Sequence, residues 1–264
     1  WPLPSMALLS LTLTLLAMTV ATTAYEEMPL DMALDSFDDR YQGCGPAMKA
    51  ELSALNRSEF QNNSILADIW PLAMAKWQSR GSSVSPLSSS DQAIALMAYT
   101  TNDLCVQFNY EVRMAGRSPQ EYRENFHFKT LHFLLTDILA TLRAAQKEQK
   151  CHSVFRGVNS ILYKAKPGDI VRFGQFVSSS LFKTVAEQFG STTVFQVQTC
   201  HGAYIKAFSE YPEADEVLIP PFEKFNVTDI IKKGKNVEIH LDSIGTYSKY
   251  NCEWLKGGTA WGHG

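Results

Sequence analysis

Three polar positions interrupt apolar, strand-like segments in the second half of the chain and could carry chemistry. Arg156 lies inside the run VFRGV (154–158). A serine triplet, Ser178 to Ser180, ends a second run, and Glu216 directly precedes a third, VLIPP. An arginine can bind phosphate oxygens, a hydroxyl can orient a charged neighbour, and a fixed carboxylate can stabilise a developing positive charge.

Each of these features also has an ordinary structural interpretation. An arginine in a strand is more often an edge or ion-pair residue, whereas serine triplets and acidic stretches are usually solvated turns. Taken singly, none of the three positions identifies a function. Their order along the chain is more informative.

An arginine, then a serine motif, then a carboxylate before VLIP resembles the arginine–serine–glutamate group of ADP-ribosyltransferases. The flanking sequence resembles the vertebrate ecto-mono-ADP-ribosyltransferases of that group over about residues 36–256. The segments that carry the resemblance are SFDDRYQGC (36–44), ALMAYT (95–100), FHFKTLHFLLT (126–136), FGQF (173–176), EVLIPPFEKF (216–225) and TYSKYNCEWLK (246–256).

The resemblance implies an α+β fold in which a helical N-terminal lobe packs on two roughly perpendicular β-sheets that form an NAD cleft. It implies an enzyme that transfers ADP-ribose from NAD, or NADP, to a protein acceptor, arginine by family default, and releases nicotinamide. NAD is then a substrate, and no tightly bound cofactor is expected. The acceptors would be extracellular or secretory-pathway proteins.

The resemblance also assigns roles to individual residues. Arg156, Ser178 and Glu216 would be catalytic, and Arg156, Gly157 and Ser178 would contact NAD. Further NAD contacts are implied at Tyr99, Gln175 and Ser209. Because nicotinamide leaves NAD as a neutral molecule, the reaction needs no general acid. The ribosyl cation that develops needs a negative charge, which is the role expected for Glu216.

One position departs from the family pattern. Arginine-directed members carry Glu-x-Glu before VLIP, whereas this chain has Ala214-Asp215-Glu216. A protonated guanidinium needs a nearby negative group to orient it and accept its proton, and alanine does neither. If the segment is extended, positions 214 and 216 face one way, and Glu213 and Asp215 face the other. Two alternatives to arginine transfer therefore stay open: an NAD glycohydrolase, and an inactive surface or secreted glycoprotein with the same fold.

The N-terminal sequence predicts export through the secretory pathway. Met6 precedes an apolar run from Ala7 to Ala21, so residues 1–24 are predicted to be a signal peptide, with residues 1–5 as upstream sequence. We expect a secreted or extracellular protein with no transmembrane span and no GPI signal in this chain. Glycosylation sequons occur at Asn56, Asn62 and Asn226.

The five cysteines fit an oxidising compartment. Pairing four of them allows three connectivities, which the sequence alone leaves open. The family resemblance implies that Cys44 pairs with Cys252 and that Cys151 pairs with Cys200. Cys105 would then be a buried free thiol.

Two classes of function are disfavoured by composition and spacing. A formal net charge of −3 argues against a nucleic-acid partner, which would require a basic surface. No metal site is predicted, because the chain has no C-x-x-C pair and its histidines lack ligand spacing with other donors. The histidines considered, the first two of them placed in a helix, are His127, His132 and His152.

Helical patterns dominate the first half of the chain, and β-rich patterns dominate the second. We predict one domain over residues 25–256, followed by a tail at 257–264. Within it, a helical lobe is expected at about 36–148 and a β-rich NAD-binding half at 151–256.

The clearest helix start is the capping box SPQE (118–121), and apolar residues continue from it at helical spacing to Leu142. A second helix is predicted after the serines at 88–90, and a short one at Lys183–Phe189, ending at Gly190. The β-rich runs are 153–158, 169–181, 192–200, 204–208, 217–219 and 237–241.

Overall fold

The computed structural model describes residues 25–146, 148 and 150–257. The predicted signal peptide and residues 258–264 of the predicted tail lie outside this part. The described chain is mixed α+β, with eight α-helices and ten strands in two sheets, which confirms the predicted fold class. Within the described ranges, no helix is long and apolar enough to span a membrane.

The first six helices form the N-terminal lobe, and the last two are short. Their bounds are α1 (Gly45–Asn62), α2 (Ser64–Arg80), α3 (Ser90–Tyr99), α4 (Asn102–Ala115), α5 (Pro119–Asn125), α6 (Lys129–Ala145), α7 (Lys183–Ala186) and α8 (Glu253–Lys256).

Nine of the ten strands follow the helical lobe. Their bounds are β1 (Glu26–Pro29), β2 (His152–Val158), β3 (Ile161–Lys164), β4 (Ile170–Val171), β5 (Val177–Ser180), β6 (Thr193–Thr199), β7 (Ala203–Tyr204), β8 (Glu216–Ile219), β9 (Glu223–Lys233) and β10 (Asn236–Thr246).

Strands β1 and β3 pair in parallel as a small sheet, and the other eight form a sheet of order β4-β9-β10-β6-β2-β5-β8-β7. Strands β2 and β5 meet at a single residue pair, Phe155 with Ser180. The large sheet therefore consists of two segments, one ending at β2 and the other beginning at β5. The strands that carry Arg156 and Glu216 lie on either side of this junction.

Strand β8 lies between the two hydrophobic cores of the protein. Its Leu218 packs into the core of the helical lobe, whereas Val217 and Ile219 pack into the core of the sheet. Side chains alternate along a strand, so Glu216 lies on the same face as Leu218. Glu216 is therefore directed toward the helical lobe.

Both predicted helix starts are confirmed. The Ser118 hydroxyl accepts a hydrogen bond from the Glu121 backbone N–H at 3.0 Å, and Ser89 caps α3 in the same way through Gln92. The prediction of one continuous helical segment from 118 to 142 is wrong, and His127 lies outside the helices.

The helix break has a tertiary cause. The chain leaves α5 at Phe126, and α6 begins only at Lys129. The buried carboxylate of Glu59, from α1, accepts hydrogen bonds from the backbone N–H groups of Lys129 and Thr130. Glu59 thus satisfies donors at the first turn of α6, a capping role that local sequence cannot reveal.

The predicted β run at 169–181 is also wrong in extent, because it forms β4 and β5 with a turn between them. Gly174 has a φ of 64°, and a Cβ there would lie 2.4 Å from the Cβ of Ala33. The fully buried Arg172 forms an ion pair with Asp38 at 2.6 Å. These contacts hold the segment against residues near the N-terminus of the domain.

The remaining predicted strands differ mainly in length. The runs at 153–158, 192–200 and 217–219 correspond to β2, β6 and β8, whereas β10 is longer and β7 shorter than predicted. The strands β1, β3 and β9 were not predicted. The predicted helix at Lys183–Phe189 is α7 followed by a 3-10 turn over Glu187–Phe189.

The disulfides are Cys44–Cys252 and Cys151–Cys200, the pairings implied by the family resemblance. The first joins the start of α1 to the start of α8, and the second joins the start of β2 to the end of β6. Cys105 is a free thiol, half-buried rather than fully buried. Burial raises its pKa.

Lys129 makes a testable contribution to stability. Its ammonium is buried near the rings of Tyr122 and Trp254, and burial lowers its pKa to about 8. Between pH 8 and the pKa of an unfolded lysine, the unfolded chain binds more protons than the folded chain. The free energy of unfolding should therefore rise with pH across this window, by up to about 3 kcal/mol.

We expect Lys129→Met to remove this rise, because methionine carries no proton to release. Urea unfolding at pH 7.5 to 9.5 measures it, and the exposed Lys232→Met is the matched control that should keep the wild-type slope. An unchanged slope in Lys129→Met would show that the ammonium is not the group responsible.

Candidate active site

The three sequence-predicted catalytic residues come together on neighbouring strands. Arg156 lies on β2, Ser178 on β5 and Glu216 on β8, which are adjacent in the sheet. The guanidinium Nη1 of Arg156 donates a hydrogen bond to the backbone carbonyl of Ser178 at 3.0 Å. Residues 60 positions apart in sequence thus share one site.

The three serines of β5 have different environments. Ser179 and Ser180 are buried, and their hydroxyls donate to the backbone carbonyls of Val217 and Ala214, each at 2.7 Å. Ser178 is the one of the three that is only half-buried. This supports the choice of Ser178 from the triplet, since the other two hydroxyls fasten β5 to β8 and the preceding turn.

Glu216 is the most constrained acid at the site. Its side chain is buried, and its Oε2 accepts a hydrogen bond from the Ser209 hydroxyl at 2.9 Å. Its Oε1 is buried and accepts no hydrogen bond from any described residue. Burial raises the pKa of Glu216, whereas the hydroxyls of Ser178 and Ser209 and the charge of Arg156 oppose that shift. One oxygen of the carboxylate therefore has an unused capacity to accept a hydrogen bond.

Gly157 is required by packing. A Cβ at this position would lie 2.2 Å from the backbone carbonyl oxygens of both Ala186 and Gly190. The close approach therefore involves the segment from α7 to Gly190, a reason that differs from the nicotinamide contact expected from sequence. Phe189, the residue before Gly190, is 60% exposed.

Two of the predicted NAD contacts, Tyr99 and Ser209, are fully buried next to the site. Tyr99 is fully buried, and its hydroxyl donates to the carbonyl of Phe176 at 3.1 Å. Ser209 is also fully buried, and its contact with the site is the hydrogen bond to Glu216. In this structure both side chains are buried against residues of the site, and neither is exposed to a ligand.

Gln175, the third predicted contact, is hydrogen-bonded to Arg113, which was not predicted from the sequence. Its Oε1 accepts a hydrogen bond from the half-buried Arg113 of α4. Arg113 forms no ion pair with a carboxylate among the described residues. Burial raises the pKa of Tyr163, and the charges of Arg113 and Arg156 oppose that shift. The charges of both guanidiniums therefore act on the same tyrosine. No sequence signal distinguished Arg113, because it lies in an ordinary helical pattern.

The turn before Glu216 is not extended, which answers the question left open by the sequence. Pro212–Ala214 form a 3-10 turn, and Asp215 has a left-handed backbone. The Asp215 carboxylate is occupied by Lys206 and Tyr204, so it cannot replace the missing glutamate. Glu213 is exposed on the turn, and no hydrogen bond or ion pair to its side chain is formed within the described ranges.

Within residues 25–257, apart from the two undescribed positions, no three His, Cys, Asp or Glu side chains are grouped to hold a metal ion. His132 is buried between the Tyr41 hydroxyl and the Phe37 carbonyl, and burial lowers its pKa to about 3. It is therefore a neutral core residue.

Comparison with known proteins agrees with this geometry. The profile of a family described as NAD:arginine ADP-ribosyltransferase matches residues 30–249. The erythroblast NAD(P)(+)–arginine ADP-ribosyltransferase of Gallus gallus is 48% identical over 259 residues, covering 95% of this chain and 86% of its own. The GPI-linked NAD(P)(+)–arginine ADP-ribosyltransferase 1 of Homo sapiens is 46% identical over 247 residues, covering 88% and 76%.

Solved structures show the same similarity. The eucaryotic mono-ADP-ribosyltransferase ART2.2 matches with a TM-score of 0.73 at 37% identity, covering 85% of this chain and 98% of its own. A variant of ART2.2 in complex with NAD matches with a TM-score of 0.72 at 36% identity. Because these matches extend over most of the chain and include all three strands of the site, the chain belongs to the NAD:arginine ADP-ribosyltransferase family.

Proposed function

We propose that this protein is a mono-ADP-ribosyltransferase that uses NAD, or NADP, and in which Glu216 stabilises the ribosyl cation. The observation that carries the proposal is the buried Glu216 carboxylate beside the Arg156–Ser178 contact. Ser209 donates a hydrogen bond to one of its oxygens, and the other oxygen is buried without a hydrogen-bond partner among the described residues. A carboxylate in a water-poor site interacts strongly with a developing positive charge.

The reaction breaks the bond between C1′ of the ribose and the nicotinamide nitrogen, whose electron pair leaves with nicotinamide. A nucleophile then bonds to C1′ and loses a proton. The negative charge of Glu216 stabilises the positive charge that develops at C1′. Its Oε1, which has no hydrogen-bond partner among the described residues, would accept a hydrogen bond from a ribose hydroxyl when NAD is bound. Ser209 and Ser178 would keep that carboxylate oriented.

The two guanidiniums are suited to the phosphates of the dinucleotide. Arg113 is held by Gln175 and Arg156 by the Ser178 carbonyl, and neither forms an ion pair with a carboxylate among the described residues. An arginine without a counter-ion is a suitable partner for phosphate oxygens. We assign Arg156 to the dinucleotide and add Arg113, held by Gln175, as a second phosphate contact. Gly157 remains a proposed backbone contact with NAD.

The acceptor is proposed to be an arginine side chain, as the names of the relatives suggest for those proteins. Ala214 is the observation that favours a second candidate, an NAD glycohydrolase in which water replaces the guanidinium. Neither candidate changes the roles of Arg156 and Glu216, since both begin with release of nicotinamide.

One assay separates these candidates. The disulfide-bonded protein is incubated with NAD labelled in its adenylate, with agmatine as a small guanidino acceptor. We expect release of nicotinamide and transfer of the label to agmatine. Free ADP-ribose with no labelled agmatine would reject transfer in favour of hydrolysis, and intact NAD would reject both.

The compartment is proposed to be extracellular, reached through the predicted signal peptide. Relatives are named as GPI-linked and as an ecto-ADP-ribosyltransferase. Among the sequons, Asn62 is exposed at the end of α1, whereas Asn56 and Asn226 are half-buried. We therefore propose Asn62 as the most accessible glycosylation site of the three.

A further inference from the structure

The turn that leads into Glu216 has an unusual backbone. Asp215 has a φ of 44° and a ψ of 56°, in the left-handed region. Residues other than glycine rarely adopt this conformation, although aspartate and asparagine tolerate it better than most. Because Glu216 begins β8 immediately afterwards, the backbone of Asp215 sets the direction in which Glu216 enters the sheet.

Two side chains hold the carboxylate of Asp215. Lys206 Nζ donates to its Oδ1 at 2.8 Å, and the Tyr204 hydroxyl donates to the same oxygen. The Asp215 backbone is held too, since its carbonyl accepts a hydrogen bond from the Leu181 N–H at 3.2 Å. The Asp215 side chain and backbone are therefore fixed at the same time. We call Asp215, Lys206 and Tyr204 the turn clamp.

The turn clamp is anchored to the helical lobe. Gln146, just after α6, accepts a hydrogen bond from the Tyr204 N–H at 3.1 Å and donates one to the Tyr204 carbonyl at 2.9 Å. The next residue, Ile205, donates its N–H to the Glu216 carbonyl at 2.9 Å. Hydrogen bonds thus run from the end of α6 through Tyr204 to both Asp215 and Glu216.

We propose that Asp215, held by Lys206 and Tyr204, is a positioning residue that sets the orientation of the Glu216 carboxylate at the site. The proposal rests on the proposed role of Glu216. Neither Lys206 nor Tyr204 contacts the described side-chain atoms of Glu216, so the clamp acts through the turn. A small displacement of a charged group at an active site can cause a large loss of rate.

The test compares variants that separate the clamp from the backbone conformation. Asp215→Ala removes both the carboxylate and the tolerance of a left-handed backbone, so kcat for nicotinamide release should fall about 10- to 100-fold. Asp215→Asn keeps an acceptor oxygen and tolerates that backbone, so it should stay within about fivefold of wild type. The KM for NAD should change less than about threefold, because the proposed phosphate contacts lie on other elements.

Lys206→Met and Tyr204→Phe should each lower kcat by about 3- to 10-fold. The control is Lys76→Met, which should leave kcat unchanged. It breaks an ion pair between α2 and Glu210, and Glu210 lies in the same loop as Lys206 and Asp215. If Asp215→Ala does not fold, as judged by its thermal unfolding, the Lys206→Met/Tyr204→Phe double variant replaces it.

The outcomes distinguish this proposal from the proposed function. An active wild type whose clamp variants keep full kcat and lose only thermal stability would overturn the positioning role alone. Equal losses in Asp215→Asn and Asp215→Ala would also overturn it. A wild type that leaves NAD intact would overturn the proposed function and the positioning role together.

Discussion

Replacing Glu216 by glutamine should lower the rate of nicotinamide release from NAD about 10²- to 10³-fold. Glutamine has nearly the same shape and can still accept the hydrogen bond from Ser209, which now lies 2.9 Å from the Glu216 Oε2. What it lacks is the negative charge. The expected loss therefore measures charge stabilisation of the ribosyl cation and not the filling of a cavity.

The matched control is Glu210→Gln, which removes a carboxylate from the same loop but only an ion pair with the exposed Lys76. It should keep a rate within about twofold of wild type, because the Glu210 carboxylate pairs with the half-exposed Lys76 and forms no hydrogen bond with Arg156, Ser178 or Glu216 among the described residues. A rate near wild type for Glu216→Gln, in a protein with unchanged thermal unfolding, would reject the assigned role.

The pH dependence of nicotinamide release is a second test of the role of Glu216. Burial raises the pKa of Glu216, so its carboxylate is lost at a higher pH than an exposed glutamate would be. Wild-type activity should fall as pH drops through that raised pKa. The residual activity of Glu216→Gln should not show this acidic limb.

The residues that could be recognised from sequence are those whose surroundings are local. The Ser118 cap is formed by a donor three residues away, and VLI before Pro220 forms a buried strand, as its composition indicates. Arg156, Ser178 and Glu216 were identified because each lies in a family motif. Their meeting on three adjacent strands is a consequence of sheet order, which the motifs imply but cannot locate.

The features that were missed depend on contacts between distant segments. Glu59 caps the start of α6 from 70 residues away. The apolar periodicity of the sequence had predicted one continuous helix across this point. Arg113 is distinguished by its contact with Gln175 and by its charge, which acts on Tyr163 together with that of Arg156. Ser209 was expected to contact NAD, and its hydrogen bond to Glu216 was not foreseen. In each case the residue type was visible in the sequence, but the partner was not.

The turn at Ala214 is a further feature whose conformation depends on contacts between distant segments. An extended segment would have placed position 214 beside Glu216, with Asp215 opposite. The structure instead has a 3-10 turn, in which the Ala214 carbonyl accepts the Ser180 hydroxyl and Asp215 is occupied by Lys206. Of the other acids in the turn, Glu213 is exposed and without a partner among the described residues.

Ala214→Glu should therefore raise the ratio of agmatine transfer to NAD hydrolysis by about 10²-fold, since a positioned base contributes at least this much to proton removal. The rate of total nicotinamide release should change much less, because that step depends on Glu216. The backbone should tolerate the change, since Ala214 is half-buried and its backbone bonds do not involve Cβ.

The informative control for Ala214→Glu is Ala214→Gln, which has similar volume and no charge. If the glutamine variant raises transfer as much as the glutamate variant, the gain comes from packing and not from a base. If neither raises it and Glu213→Gln in the wild-type background lowers it, Glu213 already supplies the carboxylate. In that case the alanine at 214 does not weaken arginine transfer, because the turn has moved the acidic function by one residue.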